Sequence, residues 1–76
     1  MNNARRKLIA VIAEQIADLR ETLEEIDDEE EEYYEAIPKN LQNSAMAEKS
    51  EEAQENLDCA ISSLAECADY LEAAQE

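Results

Sequence analysis

The sequence predicts an all-α fold, an antiparallel hairpin of two long helices of helical coiled-coil type that dimerises into a four-helix bundle. Three observations predict it. The 76 residues include no glycine and a single proline, so only Pro38 interrupts the helical pattern. Apolar residues recur at alternating spacings of three and four on both sides of that proline. Finally, 13 of the hydrophobic residues are alanines. The core is therefore thin, and chains below roughly 70 to 80 residues usually add a disulfide, a metal or a second copy.

The first helix is expected over about 3–35, in one domain that spans 1–76. Its seam reads Ile9, Ile12, Ile16, Leu19, Leu23, Ile26, Glu30, Tyr33 and Ile37, a heptad pattern broken at Glu30. The connection, about 36–43, follows from Pro38, which disfavours helix at Ile37. Asn43 or Ser44 can cap the second helix, expected over about 44–75. There Leu57, Leu64 and Leu71 repeat every seven residues, with Ile61 and Ala68 to one side and Ala53, Ala60, Cys67 and Ala74 to the other. Closing the hairpin near residue 40 sets Ile16 by Leu64, Leu23 by Leu57, and Glu30 by Ser50. The core turns polar toward the loop, so that end is expected to fray first.

Charge follows the same axis. The 21 acids and 6 bases give a formal charge of -15. Arg5, Arg6 and Lys7 start helix 1, where the macrodipole disfavours cations, but a hairpin lays them beside the C-terminal end of helix 2 with Glu72 and Glu76. No such compensation is expected at the loop end, where Asp27 through Glu32 crowd the C-terminal part of helix 1.

Composition also excludes chemistry. With no glycine there is no phosphate loop or dinucleotide fingerprint, and with no histidine the commonest general base and zinc ligand are missing. Cys59 and Cys67 stand about 12 Å apart along a helix, too far for a disulfide, and no histidine is available to activate either thiol. We read reduced thiols and a cytoplasmic protein. The apolar run after Lys7 stops at Glu14, too short for an export signal or a membrane span. Consecutive carboxylates on a helix point around its axis, so Asp27 to Glu32 cannot converge on one ion. No enzyme activity, cofactor, metal, direct nucleic-acid binding or membrane association is expected.

Two surfaces remain as candidates. Glu14, Asp18, Glu21, Glu25, Asp28, Glu32 and Glu35 form a stripe about 30 Å long opposite the apolar seam. Such a row can imitate a phosphate backbone and occupy a basic groove, although a solvated helix face shows the same pattern. Tyr34, beside the seam, is the expected aromatic anchor for a basic partner, while Tyr33 closes the core. Leu8 and Val11 on helix 1, with Cys59 and Tyr70 on helix 2, are expected to mediate self-association at the open end.

The order Arg5-Arg6-Lys7, leucine and isoleucine heptads, Glu32-Tyr33-Tyr34 and then Ile37-Pro38-Lys39-Asn40-Leu41-Gln42-Asn43-Ser44 resembles short acidic helical proteins of unknown function encoded by phages and prophages, mainly in Gram-positive bacteria. The resemblance covers nearly the whole chain. It carries no active site, and it implies a protein that binds and blocks a host protein. The expected function is thus a non-enzymatic acidic module, a phage-type inhibitor that engages a basic, nucleic-acid-binding or defence protein through its carboxylate surface, with nucleic-acid mimicry as one way of doing so. The alternative is a structural or assembly bundle whose charge is only solubilising.

Overall fold

The computed structural model describes all residues from Met1 to Glu76 and contains two packed helices with no strand. Helix α1 runs Asn3–Glu35 and α2 runs Ala45–Ala74, with a single 3-10 turn at Lys39–Leu41 between them. The result is a rod with Cα extents of 59 × 14 × 12 Å. Its radius of gyration, 17.3 Å, exceeds the roughly 11 Å of a compact domain of this length.

Local chemistry sets the ends. The Asn2 side chain accepts the Arg5 backbone N–H at 2.8 Å and caps α1. Ser44, not Asn43, caps α2, accepting the Ala47 N–H at 3.3 Å. Between them Pro38 is extended and accepts the Leu41 N–H at 2.8 Å, which turns the chain back. At the open end Arg6 Nε donates to the Gln75 carbonyl at 2.9 Å, placing a cation on a carbonyl at the C-terminal cap of α2. This ties the two ends as the antiparallel pairing requires.

The seam of α1 is rotated from the one the largest residues suggest. Ile9, Ile16, Leu23, Glu30 and Ile37 do turn inward. Their companions in the interface are Ala13, Arg20, Asp27 and Tyr34, whereas Ile12, Leu19, Ile26 and Tyr33 are exposed. The cause is width. α1 carries apolar residues across more rows than one neighbouring helix can cover, and α2 covers the narrower, more polar side. On α2 the inward row is Ser50, Gln54, Leu57, Ile61, Leu64, Ala68 and Leu71.

Burial is sparse: four of 76 residues are buried, and Ile16, Ile37 and Ala47 are the only apolar ones. The expectation of weakest packing at the loop end is reversed, because Ile37, Ala47 and Ser50 all lie there. Small residues at Ala47 and Ser50 let the helices approach closely just beyond the turn, and Ile37 fills the space where the chain crosses. The open end is the looser one, since no residue of 1–15 or 51–76 is buried.

Candidate acidic interface

Every carboxylate of the stripe, Glu14, Asp18, Glu21, Glu25, Asp28, Glu32 and Glu35, is exposed. Spacings of four and three hold them on the side of α1 that faces away from α2. α2 adds acids that the stripe alone does not include. The shift of the seam turns Asp27 toward α2 and next to Asp58, and Tyr34 toward Glu51. One edge of the hairpin is therefore acidic from both helices, and it continues the stripe around the rod.

Two contacts define this edge. A shared hydrogen bond with the Asp58 carboxyl, partial burial, and the charges of Asp58, Asp28 and Glu31 push the Asp27 carboxyl up to about 6. Two carboxylates facing one another across the interface cannot both ionise without cost, so Asp27 holds its proton more readily than an isolated acid. The second contact is the Tyr34 hydroxyl, which donates to Glu51 Oε1 at 2.6 Å, and that bond raises the phenol above its ordinary pKa.

Tyr34 thus differs from the exposed anchor expected of it. It is half-buried and engaged across the hairpin, while Tyr33 projects outward. Neighbouring helical residues diverge by 100°, so turning the seam from Tyr33 to Tyr34 exchanges their roles. The residues expected to self-associate are all exposed but do not form one patch. Leu8 and Tyr70 lie toward the edge opposite the acidic one, and Val11 and Cys59 point from the outer backs of their helices. Both cysteines are free and exposed.

The opposite edge differs in kind. An open hollow of about 330 Å³ lies there at the loop end, lined by Glu30, Tyr33, Met46, Lys49 and Ser50. Ser50 Oγ is buried with no hydrogen-bond partner. No three carboxylates or thiols are placed to hold one metal ion, and no helix is long and apolar enough to cross a membrane. The residues that sequence reasoning missed, Asp58 and Glu51, are seven residues apart on one face of α2, the same spacing that separates Asp27 from Tyr34 on α1.

Comparison with known proteins returned no match among family models, curated proteins or solved structures.

Proposed function

We propose that the protein is a non-enzymatic binding module that engages a basic protein through its carboxylate surface, in the manner of a phage-type inhibitor. The target class is a nucleic-acid-binding or defence protein of the host cell, met in the cytoplasm. The observation that carries this reading is the unequal distribution of charge. Acids cover the back of α1 and one edge of the rod, and the Asp27–Asp58 contact persists although it works against folding at neutral pH.

The density of that charge bears on what is imitated. A net charge of -15 along 59 Å is about one charge per 4 Å, near the one per 3.4 Å of a single phosphate strand and much sparser than the one per 1.7 Å of a duplex. A groove that accepts a single strand is the better match. The exposed apolar residues favour a second role, self-association into a four-helix bundle, which leaves the acidic edge and back of each copy accessible.

Capture of a partner from host lysate, challenged with a single-stranded oligonucleotide, heparin or a neutral polymer, tests the reading. Release by both polyanions and not by the neutral polymer is expected. A partner that stays bound in their presence, and also at high salt, contradicts it.

A further inference from the structure

We infer that a second copy of this chain packs on the acid-poor edge of the hairpin, with the α1 helices of the two copies antiparallel about a two-fold axis near Thr22. This rests on the self-association proposed above and assigns its surface, which is not the set of residues at the open end.

The edge is built by the rotation of the seam. Ile12, Leu19, Ile26 and Tyr33 repeat every seven residues and are all exposed, with Leu8 leading into them. Interleaved with them are Gln15, Thr22 and Glu29, so this side of α1 is a second complete heptad seam. α2 contributes Met46 and the small residues Ala53, Ala60 and Cys67, flanked by Lys49, Asn56, Ser63 and Tyr70. In all, seven of the ten exposed large apolar side chains fall here. Of the chain's 21 acids, the two rows of each helix that form this edge carry only Glu29. Solubilising charge would be spread around the rod, and here it is withheld from one side.

Three observations select a second copy as the occupant. The first is area. The chain exposes 5828 Å², about 1,100 Å² more than a folded monomer of its mass normally does. A standard interface covers about 800 Å² per partner, so one dimer contact removes a surplus of this size. The second is charge. Two chains of -15 pack best through a surface poor in acids, whereas a basic partner would seek them. The antiparallel arrangement also brings Arg5 and Lys7 of one copy to the end of the other that holds Glu32 and Glu35. A parallel arrangement stacks acid on acid.

The third is polar satisfaction at the axis. Thr22 Oγ1 already donates to the Asp18 carbonyl at 3.1 Å, so the residue can be covered without leaving its hydroxyl unpaired. Two-fold symmetry then pairs Leu19 with Ile26 and Ile12 with Tyr33, in both directions. Ile12 of the second copy faces the hollow beside Tyr33 and Met46.

Sedimentation equilibrium of the reduced full chain, with helicity followed by circular dichroism, tests the surface. Wild type is expected to sediment as a dimer. Leu19→Glu should raise the dissociation constant at least about 100-fold with helicity retained, since each copy would bury an unpaired charge. Should Leu19→Glu fail to fold, Thr22→Cys in a Cys59→Ser, Cys67→Ser background decides, because the axis predicts rapid disulfide cross-linking of two copies through residue 22. A monomer at every concentration overturns both self-association and its surface. A dimer that resists cross-linking at 22, survives Leu19→Glu and is lost on Val11→Glu overturns the surface alone.

Discussion

Ile16 and Leu19 lie one helical turn apart and look equivalent in the heptad pattern, yet the hairpin treats them differently. Ile16 is 8% exposed and Leu19 is 56% exposed. Truncating a buried isoleucine to alanine costs about 2–5 kcal/mol, comparable with the 3–5 kcal/mol that a core in a chain this short supplies. Ile16→Ala should therefore abolish cooperative unfolding or lower the midpoint below room temperature. For Leu19, less than half of a burial worth about 1.5–3 kcal/mol is lost, so Leu19→Ala should cost about 1 kcal/mol in the isolated hairpin, or roughly 4–8 °C. Thermal melts by circular dichroism at the lowest workable concentration measure both. Raising the concentration should enlarge the Leu19→Ala deficit, because wild type then gains stability from association by mass action, and should leave Ile16→Ala unrescued. Equal losses at the two positions at low concentration would refute the rotated seam.

The carboxyl pair gives a pH dependence of definite sign. Asp27 rises from its ordinary 3.8 to about 6 in the fold, so across that window the native chain binds more protons than the unfolded one. Its contribution is fully present below the lower value and lost as pH rises through the upper, so the melting temperature should climb on acidification from neutral pH to about pH 5. Asp27→Asn should melt higher than wild type at neutral pH and show less of this climb; an unchanged profile would count against the contact with Asp58. Ser44→Ala removes the α2 cap and should cost about 1 kcal/mol in denaturant titrations, with no loss indicating that another group satisfies the Ala47 N–H. Amide hydrogen exchange should be fastest near Leu8 and Tyr70 and slowest around Ile37 and Ala47, the reverse of what the polar loop-end sequence implies. Finally, salt should tighten the dimer by screening two like-charged rods, while it weakens capture of a basic partner.

How far the sequence carries this account depends on the residue. Two packed helices follow from the missing glycine, the one proline and the leucine repeat of α2, all local signals. The inward row of α2 was legible because its alternatives are alanines and small polar residues. On α1 the pattern was degenerate. Ile9, Ile16 and Leu23 belong to the interface in either phase, but the intervening positions offer Ile12 or Ala13, Leu19 or Arg20, Ile26 or Asp27, and Tyr33 or Tyr34. Choosing the more apolar residue at the first three of these pairs gives the wrong edge, because a helix with two apolar seams has no local signal for which one its own chain covers. The same ambiguity misplaced Tyr34 and concealed the Asp27–Asp58 contact, which depends on side chains from two helices.

On the proposed reading, the acidic surface and not the hydrophobic one engages the partner. Its most direct test is quantitative capture from host lysate by wild type and by a variant carrying Glu25→Gln, Asp28→Asn, Glu32→Gln and Glu35→Gln, at low and at high salt. These residues are exposed and unpaired with α2, so the variant should fold at least as well as wild type. Wild type should retain basic proteins at low salt, with recovery falling at least about tenfold in the variant and again in wild type at high salt. An identical set of captured proteins from both chains, at both salt concentrations, would contradict the account and leave the charge with a solubilising role alone.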